Sequence, residues 1–116
     1  MTLACLVLLG GVCFSSTALA DHAARVAAGA RLAHEVNKGN CLACHAMPAD
    51  PSAVTSANIG PALVGIRARF ADRQQLRRQI WDASVANPDT VMPPFGKNLI
   101  LTTEEIDLIV DYLYTL

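Results

Sequence analysis

A run of five residues, CLACH at positions 41–45, constrains the fold of this chain more than any other feature. Cys41 and Cys44 are separated by two residues, and His45 follows the second cysteine directly. This spacing is that of an attachment site for a c-type haem. The two thiols can add to the vinyl groups on one edge of the porphyrin, and the histidine is then held beneath the iron as its proximal ligand. The motif therefore predicts one covalently bound haem.

Two other uses of the motif fit the sequence less well. A structural zinc site needs four ligands, whereas CLACH supplies three, and the remaining histidines, His22 and His34, show no ligand-like spacing. A thioredoxin-type redox pair needs a βαβ context, and the sequence predicts no strand. Haem attachment is the interpretation that agrees with the rest of the chain.

The first twenty residues, MTLACLVLLGGVCFSSTALA, contain no charged side chain and end in small residues around Leu19. Their apolar run, residues 3–14, is shorter than the roughly 20 residues that span a bilayer. We therefore expect a secretory signal over residues 1–20, cleaved after Ala20, and an exported domain over residues 21–116. No Lys or Arg precedes the apolar run, and an uncleaved membrane anchor is the alternative.

Two of the four cysteines, Cys5 and Cys13, fall within the predicted signal. A lipid-anchoring cysteine is expected directly after a small residue at the end of a signal. Cys13 follows Val12 and Cys5 lies too early, so lipidation is not expected. The exported domain keeps only the two cysteines of CLACH, and one short-range disulfide would be a poor framework for it.

Charge is nearly balanced, with nine basic and ten acidic side chains and a formal net charge of −1. That balance gives no reason to expect nucleic-acid binding. Five arginines crowd residues 67–78. We expect them to form a solvated face, and steering of an acidic partner or a contact to a haem propionate are the alternatives.

Three segments have the pattern of helices, and no segment has that of a strand. Residues 21–38 are rich in Ala, Arg and Leu, residues 71–84 begin with a possible Asp72–Gln75 capping box, and residues 102–116 begin with a Thr102–Glu105 box. The last segment carries an apolar stripe at helical spacing, formed by Ile106, Ile109, Val110 and Leu113. The loops between them are long and rich in Pro, Gly, Ser and Asn, as in a small all-α domain that wraps a ligand.

Two methionines are candidates for the distal iron ligand. Met47 lies only two residues past His45, and at about 3.3 Å per residue the chain cannot pass around the edge of a porphyrin. We expect Met47 to fill space near the haem. Met92, in TVMPPFG, has ample chain to reach the distal face, and the two prolines after it stiffen its loop. Met92 is the predicted sixth ligand.

Two more residues, Pro61 and Trp81, are candidates for the surroundings of the haem. The carbonyl of Pro61 is placed to accept a hydrogen bond from the free ring N–H of the proximal imidazole, and a simple turn is the alternative. Trp81 is expected in the core or at a haem propionate. His34 is expected to be a surface or helix-packing side chain, and a distal histidine is the alternative. His22 is expected to lie in a terminal segment.

Four phrases together resemble the class I cytochromes c and, more closely, the SoxX family. They are KGNCLACHAMP, NIGPALVGI, QIWDASVANPDTVMPPFGKN and ILTTEEIDLIVDYLYTL, and the resemblance covers roughly residues 29–116. SoxX proteins are the monohaem cytochrome c subunits of the SoxAX complex of bacterial sulfur oxidation. The resemblance implies an all-α, class I cytochrome c-like fold around one haem c, with Cys41 and Cys44 as covalent attachments, His45 proximal and Met92 distal.

The resemblance also implies a function and partners. It implies a periplasmic subunit paired with a second haem-containing, SoxA-like subunit, in a complex of the L-cysteine S-thiosulfotransferase type. That complex couples thiosulfate to a cysteine of a sulfur-carrier protein at the partner's haem. This chain would accept electrons and relay them to a downstream cytochrome, and no catalytic residue is expected in it. A free-standing cytochrome c carrier is the alternative, and a haem-based gas sensor is a third possibility. The helix-crossing glycine of the first helix would be Gly29, or Ala33 in its place.

Overall fold

The computed structural model describes residues 15–116, so most of the predicted signal, residues 1–14, lies outside the described residues. Within that range the chain forms four α-helices and two 3-10 turns, and no strand. The helices are α1 (Ser15–His34), α2 (Ile66–Arg69), α3 (Arg73–Trp81) and α4 (Thr103–Leu113), and the 3-10 turns are Cys41–Ala43 and Ala83–Val85. The prediction of an all-α, class I cytochrome c-like fold is confirmed.

The bounds of α1 differ from the prediction at both ends. The helix runs without a break through Ala20 and ends at His34, four residues before the predicted end. Residues 35–38 instead form a turn in which Lys38 and Asn40 donate backbone hydrogen bonds to the carbonyl of Glu35. The one-turn helix α2 was not predicted, because four residues are too few to show a helical period.

The core forms where α1 crosses α4. A Cβ on Gly29 would overlap the carbonyl oxygen of Leu108 and the Cβ of Tyr112, so only glycine allows the two backbones to approach this closely. Gly29 is therefore the crossing residue, and Ala33 is fully buried one turn further on. All four residues of the predicted α4 stripe are buried, namely Ile106, Ile109, Val110 and Leu113.

Side-chain caps define where α3 and α4 begin. The predicted capping box of α4 is present: the Glu105 N–H donates to Thr102 Oγ1 at 3.2 Å, and the Thr102 N–H donates to Glu105 Oε2 at 2.9 Å. At α3 the carboxylate of Asp72 accepts from the Gln74 N–H at 2.9 Å, in place of the predicted box with Gln75. Both caps satisfy N–H groups that the first helical turn leaves unpaired.

The arginines of residues 67–78 are not simply a solvated face. Arg73 lies 2.6 Å from the buried carboxylate of Asp111, which Arg25 contacts at 2.6 Å from the other helix. Arg77 binds Asp107 at 2.8 Å. These pairs join α1 and α3 to α4, so two of the five arginines are structural.

No helix in residues 15–116 combines the length and the apolar character needed to cross a bilayer.

Candidate haem-binding site

The CLACH motif folds as a tight turn that directs both cysteines and the histidine to one cavity. Asn40 adopts a left-handed conformation with φ of 46°, which asparagine tolerates better than most residues, and the 3-10 turn follows. The N–H groups of Cys44 and His45 both donate to the carbonyl of Cys41, at 3.2 and 2.9 Å. The turn is anchored to α1 by a hydrogen bond from the Gly39 N–H to the Leu32 carbonyl at 3.0 Å.

The cavity has a volume of about 530 Å³ and is lined largely by apolar side chains. That volume lies within the range of roughly 300–1,000 Å³ that is usual for sites of cofactors and small ligands. One wall carries Cys41, Cys44, His45 and Pro61, the helices contribute Leu76, Ile80, Ile109 and Leu113, and the loop before α4 contributes Met92, Pro93 and Phe95. An apolar cavity with two thiols and an imidazole on its wall fits a porphyrin.

Cys41 and Cys44 are free thiols, and the pKa of the Cys41 thiol is raised. Neither Cys41 nor Cys44 is in a disulfide. Burial raises the pKa of the Cys41 thiol to about 11, whereas reactive and metal-binding cysteines have a lowered pKa. Among residues 15–116 no group of three or more His, Cys, Asp or Glu side chains could hold a metal ion.

The ring of His45 is held by the segment Gly60-Pro61. Its Nδ1 donates to the carbonyl oxygen of Pro61 at 2.6 Å, which is the contact expected from the sequence and leaves the lone pair on Nε2. A Cβ on Gly60 would overlap three atoms of the imidazole. Backbone hydrogen bonds of 2.8 Å from Gly60 to Cys44 and from Leu63 to Ala46 fix this segment beside the motif.

The structure separates the two candidate methionines. Met92 lines the cavity, and its N–H donates to Thr90 Oγ1 at 3.1 Å, which shapes the loop around it. Met47 is only 2 % exposed, and its sulfur lies 3.3 Å from the hydroxyl of Tyr112 in the helical core, away from the cavity lining. Met92 is the methionine that shares a cavity with His45.

Two of the remaining candidates lie away from the cavity. Trp81 does not line it: the indole packs on Gly96 and under Arg77, 5.9 Å from the guanidinium carbon, and faces an adjoining cavity of about 330 Å³. The ring N–H of His34 is 3.1 Å from the hydroxyl of Tyr112, so His34 is the helix-packing side chain expected from the sequence. The structure adds Arg69 and Phe70 to the lining, which sequence periodicity could not show because α2 is one turn long.

An all-α fold around an apolar cavity with Cys-x-x-Cys-His on its wall defines a cytochrome c domain. The family described as "Cytochrome C oxidase, cbb3-type, subunit III" matches residues 24–113, and this chain belongs to that family of cytochrome c domains. Membership implies covalently bound haem c, an electron-transfer function and redox partners. Cys41 and Cys44 are the cysteines of residues 15–116, and both are free for that attachment.

A relative from Aquifex aeolicus (strain VF5), named an uncharacterized lipoprotein, is 39 % identical over 77 residues. The aligned stretch covers 66 % of this chain and 36 % of the relative. The chain thus spans little more than a third of that protein, and the rest of the relative has no counterpart in the alignment.

Proposed function

We propose that this protein is an exported monohaem cytochrome whose iron is ligated by His45 and Met92, and that it relays electrons as a SoxX-like subunit in thiosulfate oxidation. One observation carries the ligand assignment. His45 and Met92 are far apart in the sequence, yet both line the cavity that holds the two thiols. The haem supplies one-electron chemistry when bound.

The residues of the chain prepare the site for electron transfer. The hydrogen bond from His45 to Pro61 fixes the ring orientation and makes Nε2 a better ligand. The thioether of Met92 favours the ferrous state and raises the reduction potential. The apolar helix side chains keep water from the cavity, and a low local dielectric disfavours the more highly charged ferric state.

The SoxX-like role is supported by the phrases NPDTVMPPFG and ILTTEEID, since CLACH alone does not separate one cytochrome c family from another. In this role the chain pairs with a SoxA-like haem subunit, serves a sulfur-carrier protein through the complex, and passes electrons to a downstream cytochrome. Export to the periplasm, with cleavage after Ala20, is supported by the apolar leader, and the name of the Aquifex relative indicates export of that protein.

Isolation from the native host tests this function. The tagged protein is expected to copurify with a second haem-containing subunit in a 1:1 complex, which separate haem stains and mass determination can establish. Recovery of a haem-loaded monomer with no such partner would contradict the subunit role and favour a free-standing carrier. An absorption spectrum in both redox states of the same sample tests the ligands independently of the partner.

A further inference from the structure

A cleft beside the haem cavity, called the α3 cleft below, has no part in the proposed function. It is the adjoining cavity of about 330 Å³, and its walls come from Phe70, α3 and the 3-10 turn Ala83–Val85. Phe70 and Trp81 give it two aromatic walls, and Val85, which is 83 % exposed, stands at its rim. A concave surface with aromatic walls and an exposed aliphatic rim is typical of a pocket that receives a side chain of a partner protein.

Two arginines border the α3 cleft, and little in the described part of the chain neutralises them. Arg78 lines the cleft with a side chain that is 70 % exposed, and its ion pair within residues 15–116 is a long one of 3.5 Å to the exposed Asp72. The guanidinium carbon of Arg69 lies 5.9 Å from the ring of Phe70, and its Nη1 donates to the carbonyl of Ala62 at 2.9 Å. Because an exposed ion pair is weak, the rim of the cleft keeps a positive charge.

The acidic side chain in the wall of the α3 cleft is already paired. Asp82 is only 8 % exposed, accepts from the N–H of Ser84 at 3.1 Å and lies 3.0 Å from Lys97. The whole chain has a formal net charge of −1, so the positive rim is a local feature of this surface. Partners that bind a positive surface present acidic groups opposite it, which steer the encounter. The charge of the rim therefore favours an acidic partner.

The α3 cleft lies directly beside the haem cavity. Phe70 and Gln79 line both cavities, so a single layer of protein separates a side chain in the cleft from the space of the haem. Ion pairs of Arg73 and Arg77 hold α3 against α4. The cleft is thus presented by a fixed helix, which lowers the cost of ordering on binding.

We propose that the α3 cleft is the docking site of an acidic protein that accepts the electron of the ferrous haem. The acceptor seats one aromatic or aliphatic side chain against Phe70 and Trp81, and its carboxylates contact Arg69 and Arg78. The inference rests on the proposed electron-relay function, because it requires a redox-active haem on CLACH. The step is balanced, since the iron loses one electron and becomes ferric while the redox centre of the acceptor gains that electron.

The size and charge of the α3 cleft fit a transient partner rather than a permanent subunit. A single side-chain pocket with two exposed arginines is a small contact area, and short-lived electron-transfer encounters have the smallest protein interfaces. Attraction between exposed charges brings the partners together quickly and is screened by salt. Both properties suit an acceptor that must leave after each electron.

The first test titrates a synthetic peptide, with one tryptophan between two pairs of glutamates, into the haem-loaded ferrous protein. The peptide should shift the NMR signals of the Trp81 indole N–H and the Val85 methyl groups, and the shifts should weaken in about 1 M salt, where the Debye length is about 3 Å. Arg78→Glu should weaken binding about tenfold, because it replaces attraction by repulsion. Arg31→Glu is the matched control: it makes the same change of net charge at an exposed arginine of α1 and should leave the affinity unchanged.

Four outcomes of this experiment would overturn the proposal. Two are the absence of any shift at the α3 cleft and an equal affinity in Arg78→Glu and Arg31→Glu. The third is binding to vesicles of phosphatidylglycerol that depends on Arg78 while the peptide does not bind, which would make the cleft a lipid-binding surface. The fourth is a dimer in sedimentation that Val85→Glu dissociates, which would make the occupant a second copy of this chain.

The second test measures whether electrons leave near the α3 cleft. Ferricyanide is an anionic one-electron oxidant, and stopped-flow absorption follows its oxidation of the ferrous haem. The rate should fall severalfold in Arg78→Glu and stay closer to that of the unmodified protein in Arg31→Glu, whereas a cationic cobalt(III) phenanthroline oxidant should not be slowed by Arg78→Glu. Equal rates of ferricyanide oxidation in the two variants would overturn the proposal.

Failure of this inference can be told apart from failure of the proposed function. Copurification tests a stable haem-containing subunit, and the absorption spectrum tests the ligand Met92. Neither result changes the binding of the acidic peptide, which depends on the fold of the α3 cleft. A protein that has its stable partner and its methionine ligand but does not bind the peptide would contradict this inference alone.

Discussion

The carbonyl oxygen of Pro61 lies 2.6 Å from Nδ1 of His45, and the preceding Gly60 packs its backbone directly against the same imidazole. One dipeptide thus sets both the hydrogen bond and the steric position of the proposed proximal ligand. The segment is itself fixed by backbone hydrogen bonds from Gly60 to Cys44 and from Leu63 to Ala46.

Replacement of Gly60 by alanine should displace the proximal imidazole. The added Cβ would overlap three ring atoms of His45, and overpacking of this kind costs about 1–3 kcal/mol. The Gly60→Ala variant should show a changed haem absorption spectrum and a lower free energy of unfolding in urea. Gly65→Ala is the control, because Gly65 has φ of 60° but no atom near its missing Cβ. The free energy of unfolding of Gly65→Ala should fall by about 1 kcal/mol because of backbone strain, and its haem absorption spectrum should be unchanged. An unaltered spectrum in Gly60→Ala would contradict the role of the glycine.

Met92→Ala should abolish the absorption band of a methionine–iron bond and lower the reduction potential, because the thioether favours ferrous iron. Met47→Leu is the matched control for the other methionine. Met47 is buried in the helical core, so this volume-conserving change should cost less than about 1.5 kcal/mol and leave the band intact. Survival of the band in Met92→Ala would require a different sixth ligand.

Arg73→Gln should destabilise the fold more than the loss of another arginine of the same helix. The carboxylate of Asp111 is buried and is paired with both Arg25 and Arg73 at 2.6 Å, so loss of one partner should cost about 1–3 kcal/mol. Arg78 lies 3.5 Å from Asp72, and both side chains are largely exposed. Arg78→Gln should therefore cost at most about 1 kcal/mol. Urea unfolding of both variants measures the difference, and equal losses would argue against the structural role of Arg73.

The carboxylate of Asp50 should make part of the stability depend on acidic pH. Hydrogen bonds, above all from the Ser52 side chain and then from Tyr112, lower its pKa from 3.8 to about 2 in the folded protein. A lowered folded pKa stabilises the protein fully above the unfolded value, and the contribution is lost as the pH falls through about 2. Ser52→Ala should therefore lower the free energy of unfolding at pH 6 and shrink its decline between pH 4 and 2.

Ser56→Ala serves as the control for that experiment, because Ser56 is an exposed serine of the same loop. Its unfolding free energy should follow that of the unmodified protein at every pH. A Ser52→Ala variant with an unchanged acid profile would show that the hydrogen bonds to Asp50 contribute nothing to the pH dependence.

The sequence by itself determined the class of fold, the cofactor chemistry and the capping box that begins α4. The CLACH motif predicts haem attachment from the spacing of its residues along the chain, and that spacing does not depend on the rest of the fold. The apolar stripe of α4 follows from helical periodicity, and its Thr102–Glu105 cap follows from local hydrogen bonding. Chain length alone separated Met47 from Met92, because a tether of two residues cannot pass around a porphyrin.

The tertiary structure decided what depends on contacts between distant segments. Local composition could not show that Arg73 forms an ion pair with Asp111 or that Trp81 packs on Gly96, away from the main cavity. It also could not show that Gly29, rather than Ala33, is the residue at which α1 crosses α4. It also could not place His34, Tyr112 and Asp50 in one hydrogen-bond cluster, since 78 residues separate the histidine from the tyrosine. The physical reason is that local sequence fixes backbone preference, whereas burial and ion pairing depend on which surfaces meet when α1 crosses α4.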